Sequence, residues 1–124
     1  MTNAADSTLA RNAGTVVLLQ AGLEATVSCK TYVATLAALH WLGAVLLDET
    51  VPAALEPAAA VASDLARYLE RAEPHVEELA EWVRDIDSVF VVGRGYSLAT
   101  AGTGGLILKE STRRQAEGMS AAAF

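Results

Sequence analysis

The chain has 124 residues, 52% of them hydrophobic and only 6% aromatic, and a formal charge of −6. That is about one domain's length, with room for a single modest core built mostly from Ala, Val and Leu. The acidic balance, with no basic stripe, excludes nucleic-acid backbone as a partner. A sole cysteine, Cys29, excludes an internal disulfide and makes the cytoplasm the natural compartment.

Met1 to Arg11 reads as loop, because Asn3, Asp6 and Ser7 are turn formers and no period is visible. The start, Met1 to Asp6, shows neither the charged nor the apolar region of a secretory signal. Thr15-Val16-Val17-Leu18-Leu19 is a short β-branched run and predicts a buried strand, closed by the glycine turn at Gly22. A helix is expected from Val27 or Ser28 to about Leu47, with Ser28 as its N-cap. No charge falls between Lys30 and Asp48. That run is slightly short of the ~20 residues of a membrane span and contains Thr31, Thr35 and His40. It therefore predicts a largely buried soluble helix, with no membrane partner.

Val51 to Glu56 reads as a connector, and Pro57 as the first position of a helix carrying Val61, Leu65, Tyr68 and Leu69 at helical spacing. Pro74 restarts the pattern, with Val76, Leu79, Ala80 and Val83 on one face and Glu77, Glu78, Glu81 and Arg84 on the solvated one. Asp85 to Asp87 turns the chain into a second strand over Ser88–Val92. Gly93 and Gly95 then bracket a sharp turn, and Ser97 is placed to cap a helix running to about Arg114. Strand, Gly-x-Gly turn and helix start form a geometry that presents backbone N–H groups to an anion such as phosphate. The same residues read equally as a tight connection with no ligand, since the third glycine and downstream acid of a dinucleotide fingerprint are missing. Gly102, Gly104 and Gly105 within one helix imply that another backbone, or a ligand, comes close. The predicted order is β-α-α-α-β-α. Strands so far apart belong to parallel sheets, so the fold class is α/β.

Three stretches together resemble the tandem SIS (sugar isomerase) domain family. Leu9-Ala10-Arg11 through Leu19, followed by Ala21-Gly22-Leu23-Glu24, looks like the end of a first SIS unit. Val27-Ser28-Cys29-Lys30-Thr31 is similar to the Ser-Thr-Lys turn opening that unit's last long helix. Phe90-Val91-Val92-Gly93-Arg94-Gly95 to Leu108-Lys109-Glu110, with Ala116-Glu117-Gly118-Met119-Ser120, looks like the first strand, turn and helix of a second unit. The likeness is greatest to the isomerase half of the glucosamine–fructose-6-phosphate aminotransferases and their deaminase-like relatives.

The resemblance implies a doubly wound parallel sheet, of which this chain carries only a fragment. Residues 1–48 would end one unit, 49–87 form a helical linker and 88–124 begin the second. It implies a phosphosugar-binding function: an aldose–ketose isomerase, amino-sugar phosphate aminotransferase or deaminase, homo-oligomeric in the intact protein and needing no cofactor. The alternative is a non-catalytic phosphosugar sensor or a pseudoenzyme remnant. Glu110 falls on the glutamate that moves a proton between C1 and C2, a task for a positioned carboxylate; by position alone it is a surface glutamate beside Lys109. Val27 and Ser28 fall where relatives contact the sugar. Cys29 stands where threonine is usual and reads as a small buried residue; Lys30 reads as structural. His40 reads as a packed histidine, His75 as exposed, and no cluster has metal spacing. Ile107 stands where the aminotransferases often carry a lysine, which favours a deaminase-like or divergent relative. The family's first phosphate loop would precede Met1, and its sugar-handling histidine would follow Phe124.

Overall fold

The computed structural model describes all residues, 1–124, as two compact units, Met1–Val76 and Glu77–Phe124. The elements in order are α1 (Thr8–Asn12), α2 (Lys30–Leu46), α3 (Val51–Leu69), α4 (Ala72–Trp82), β1 (Ser88–Gly93), α5 (Ser97–Thr112) and β2 (Gln115–Ser120). The architecture is mixed α/β with one parallel two-stranded sheet.

The first unit is helical. Met1 to Arg11 is not all loop: Ser7 caps α1, its Oγ accepting from the Ala10 amide at 3.1 Å. The strand expected over Thr15–Leu19 does not form. The segment makes only an isolated parallel bridge, Thr2 to Leu18, because nothing longer lies alongside to complete a ladder. Helix α2 follows the uncharged run closely but begins at Lys30, and its N-cap position is Cys29, not Ser28. It ends in a Schellman motif, with Glu49 N–H donating to Ala44 at 3.0 Å and Asp48 N–H to Val45 at 3.2 Å. Asp48 takes the left-handed conformation there, φ 57°, a place usually held by glycine.

The connector expected at Val51–Glu56 is already helix. α3 starts six residues earlier, at Val51, with Pro52 in its first turn, where a missing N–H costs nothing, and Pro57 lies inside. Pro57 has no N–H for the carbonyl of Ala53, so the helix tolerates the loss of one rung. α3 packs against α2, and the residues that this unit buries fully are alanines, Ala44 and Ala54. Between the two helices runs an apolar groove of about 420 Å³, lined by Val33, Leu36 and His40 on α2 and by Pro57, Val61 and Leu65 on α3.

The second unit is a β-α-β crossover. β1 and β2 pair in parallel from Ser88↔Gln115 to Gly93↔Ser120, with α5 connecting them. Parallel neighbours need such a connection. Along β1, Val89 and Val91 are half-buried while Phe90 and Val92 are exposed, so α5 covers one face only. Three glycines let the helix lie against the sheet. A Cβ on Gly93 would stand 2.5 Å from the Ser97 carbonyl oxygen, and one on Gly105 would overlap the Gly118 amide. One on Gly118 would meet the Gly102 Cα at 2.5 Å. The close backbone approach read from the glycines of α5 is thus the sheet itself. Ala101 and Ala116 complete this small-residue interface, each almost wholly buried.

Arg114 ties the segment after α4 to the end of α5. Its Nη1 donates to the carbonyls of Val83, Arg84 and Ile86 at 3.1, 3.0 and 2.8 Å. These bonds fasten the turn that follows α4, in which the Val83 carbonyl also accepts from the Ile86 amide at 3.2 Å. On the open face of β1, Phe90 meets Phe124 edge to face, with ring centroids 6.2 Å apart.

No large side chain is fully buried in either unit. Two separate compact bodies sharing this mass would expose about 7,600 Å²; the chain exposes 9547 Å². The excess is largely apolar, including Leu46, Leu47 and Val61 on the helices and Phe90 and Val92 on the sheet. No helix is long and apolar enough to cross a membrane.

Candidate functional site

The candidate residues fall in two places, Val27 and Ser28 before α2 in the first unit and Glu110 near the end of α5 in the second. Each can be built from its own surroundings.

The segment from Gln20 to Thr31 is non-helical until Lys30 and is held by side chains rather than by a sheet. Gln20 and Gly22 both take positive φ, 52° and 77°. Asn3 grips the turn from outside. Its amide nitrogen donates to the Gly22 carbonyl at 2.7 Å, and its Oδ1 accepts from the Ala21 amide at 2.8 Å. Glu24 then reaches forward to α2: Oε1 accepts from the Thr31 backbone amide at 2.5 Å and from the Ser28 hydroxyl at 3.4 Å. Thr31 is the second residue of α2, so the carboxylate does the work of an N-cap from seven residues upstream. That is why Ser28 is not the cap: the Thr31 amide that its hydroxyl would accept from is already bonded to Glu24, and the hydroxyl itself donates to the same carboxylate. The Thr31 amide bond, with help from the Thr31 hydroxyl, the nearby Lys30 ammonium and the Ser28 hydroxyl, holds the Glu24 carboxyl below its usual range against the opposing effect of burial. The Lys30 ammonium donates to the Leu23 carbonyl, closing the same loop from the helix side.

Val27, between these tethers, is half-buried, and its carbonyl accepts from the Cys29 amide at 3.0 Å. Ser28 is exposed. Cys29, expected to be buried, is exposed too, since it stands at the free end of α2 before any turn of helix can cover it.

In the second unit the strand–turn–helix arrangement is present. Gly95 takes φ 57°, and the first amides of α5 are drawn into the turn. The Ser97 amide donates to Arg94 at 3.2 Å and the Leu98 amide to Gly95 at 3.1 Å. Ser97 is the first helical residue, and Tyr96 at the cap position makes no side-chain capping bond. Both glycines are accounted for without a ligand, Gly93 by its approach to Ser97 and Gly95 by its φ.

Glu110 lies two residues before the end of α5, exposed, with no hydrogen bond and no ion pair. The neighbouring charge is turned elsewhere: Lys109 Nζ reaches Glu117 Oε2 on β2 at 3.2 Å. The Glu110 carboxylate is thus free to accept a proton from a molecule brought to it. His40 lines the apolar groove of the first unit, and His75 packs edge to face on Tyr68 with ring centroids 6.4 Å apart. No group of three His, Cys, Asp or Glu side chains is close enough to hold a metal ion.

The sequence reading overlooked Glu24 as an active part of this loop. A carboxylate a few residues ahead of a helix lacking a good N-cap was the available signal.

No family model and no solved structure matches the chain. Curated relatives do. It is 35% identical over 117 residues to the isomerizing glutamine–fructose-6-phosphate aminotransferase of Thermotoga maritima, covering 89% of this chain and 19% of that one. The enzyme of the same name from Methanothermobacter thermautotrophicus is 34% identical over 120 residues, 96% of this chain and 20% of its own. That from Streptococcus pneumoniae is 36% identical over 136 residues, 98% of this chain and 21% of its own. Over nearly its whole length the chain is thus similar to one segment of the isomerizing glutamine–fructose-6-phosphate aminotransferases, of whose length it spans about a fifth.

Proposed function

We propose that this chain supplies part of a phosphosugar site in a cytoplasmic protein of doubly wound SIS type. Residues 1–48 belong to one unit, 49–87 to a helical linker and 88–124 to a second unit, in an assembly of identical subunits. The observation that carries the reading is the similarity, over 89–98% of the chain, to enzymes named for acting on fructose 6-phosphate with isomerization. Within it, Val27 and Ser28 contact the open-chain sugar and Glu110 moves the proton.

The chemistry asked of Glu110 is simple to balance. Its carboxylate takes the proton from the carbon beside the carbonyl, and the C–H electron pair moves into the new C–C double bond as the carbonyl oxygen is protonated. The carboxylic acid so formed returns the proton to the former carbonyl carbon, while the neighbouring hydroxyl gives up its own proton, the counterpart of the one the old carbonyl oxygen gained, and becomes the new carbonyl. A carboxylate with no competing partner suits the first half; the second half needs it held within hydrogen-bond reach of both carbons. Isomerization, amination and deamination of a hexose phosphate all pass through this step.

A segment exchange tests the proposal. The matched 117 residues of the Thermotoga maritima enzyme would be replaced by this chain. The expected result is turnover of fructose 6-phosphate that falls about 10²–10⁴-fold in Glu110→Gln. A folded chimera that binds fructose 6-phosphate without turning it over would favour the sensor role instead. One that folds and does not bind it would overturn the reading.

A further inference from the structure

The loop that carries Val27 and Ser28 has no secondary structure of its own, yet it is tied by five hydrogen bonds. Asn3 holds its entrance through Ala21 and Gly22, and Lys30 holds Leu23. Glu24 closes it by bonding both Ser28, within the loop, and Thr31, in the first turn of α2. Of these, only Glu24 touches a candidate sugar-contacting residue and the helix together. It also stands where an anionic ligand would otherwise sit, since one of the amides that a helix N-terminus offers to an anion is already bonded to its carboxylate.

We infer that Glu24 is a positioning residue: it fixes Val27 and Ser28 relative to α2, and by occupying the start of that helix it leaves the loop to meet the uncharged part of a sugar rather than its phosphate. This rests on the function proposed for Val27 and Ser28, but the clamp can be examined separately. Removing the charge while keeping the shape, Glu24→Gln, weakens the bond to Thr31 and leaves the rest of α2 untouched. Glu24→Asp keeps the charge on a shorter arm.

Hydrogen–deuterium exchange on the intact chain reads the clamp directly. In Glu24→Gln, exchange at Val27–Thr31 is expected to rise about fivefold or more, while Leu36–Ala44 within α2 is unchanged. The difference from wild type should vanish when pH falls far enough to protonate Glu24, and Glu24→Asp should restore part of the protection. A merely space-filling side chain would show neither the pH dependence nor the rescue. Exchange at Val27–Thr31 that is the same in wild type and Glu24→Gln at neutral pH would overturn the inference. A second arm adds inorganic phosphate: protection of Lys30 and Thr31 in the wild type would also overturn it, by showing that the helix start is open to anions. Fructose 6-phosphate is the separate probe of the proposed function. If it fails to protect Val27 and Ser28 in the segment-exchanged enzyme while the clamp behaves as described, the fault lies with the function and not with Glu24.

Discussion

The backbone amide of Gly118 in β2 occupies the space where a Cβ on Gly105 of α5 would stand. With the approach of Gly118 to Gly102, it sets the distance between the helix and the sheet, and so the height of Glu110, little more than a turn further along α5. Gly105→Ala must push strand and helix apart, whereas Gly102→Ala, on the same helix, meets nothing within 4 Å. Overpacking of this kind costs typically about 1–3 kcal/mol, and replacing an unhindered helical glycine by alanine gains up to about 1 kcal/mol. Amide exchange along β1 and β2 should therefore shift in opposite directions in the two variants, faster in Gly105→Ala and slower in Gly102→Ala. Equal shifts would show that α5 does not rest on Gly118.

Arg114 gives a second check on the same unit. Arg114→Ala leaves the carbonyls of Arg84 and Ile86 to water, leaves that of Val83 with the Ile86 amide alone, and unties the chain before β1. The guanidinium is exposed, so the expected loss is modest, about 1 kcal/mol. Exchange at Val83–Ile86 should quicken while that at Ala101–Gly105 stays slow.

These elements were unequally visible in the residues. The uncharged run after Lys30 marked α2, and four β-favouring residues marked β1, because both signals are local. β2 gives no such signal. Gln115, Ala116, Glu117 and Gly118 are polar or small, and they form a strand because β1 offers a partner and α5 leaves room only for small side chains above it. Thr15–Leu19 has the reverse character, with strand-favouring residues and no neighbouring strand beyond the single bridge at Thr2. Pro57 was legible as a helix start by its usual place, but contact between α3 and α2 carries the helix through it from Val51. At the candidate site, Glu110 is singled out by its position in a family pattern. The Glu24 clamp was hidden because it joins residues seven apart that only the folded turn brings together.

The pH dependence of the loop follows from the sign of the Glu24 shift. Its carboxyl is held below its ordinary value when folded, chiefly by the Thr31 amide. The contribution to stability is then fully present above the unfolded glutamate value, about 4.3, and is lost as pH falls through the lower folded value. The start of α2 should fray in that acid window and not between neutrality and pH 5. A loop that loosens already near pH 6 would mean that another group governs it.

The apolar faces of α2, α3 and the open side of β1 predict association. Leu46, Leu47, Val61 and Phe90 are more than half exposed, and a two-stranded sheet presents unpaired edges to other chains. The isolated chain should form oligomers or aggregates at micromolar concentration and unfold without a sharp transition. Sedimentation showing a monodisperse monomer, together with one cooperative thermal transition, would contradict this.

The assignment of Glu110 has the most direct test, because the step proposed for it can be watched at single atoms. In the segment-exchanged enzyme, Glu110→Gln keeps the size and hydrogen-bonding shape of the side chain and removes the proton acceptor. Binding of fructose 6-phosphate should survive, while exchange of deuterium from solvent into C1 or C2 should slow by about 10²–10⁴-fold. Asp85→Asn, in the exposed turn before β1, serves as the control and should leave exchange within a factor of two. The two variants lose the same charge, so a change in long-range field would slow both alike, whereas loss of the base slows only the first. Wild-type exchange in Glu110→Gln would make Glu110 an ordinary surface residue of α5, and the proton would have to be carried by another group.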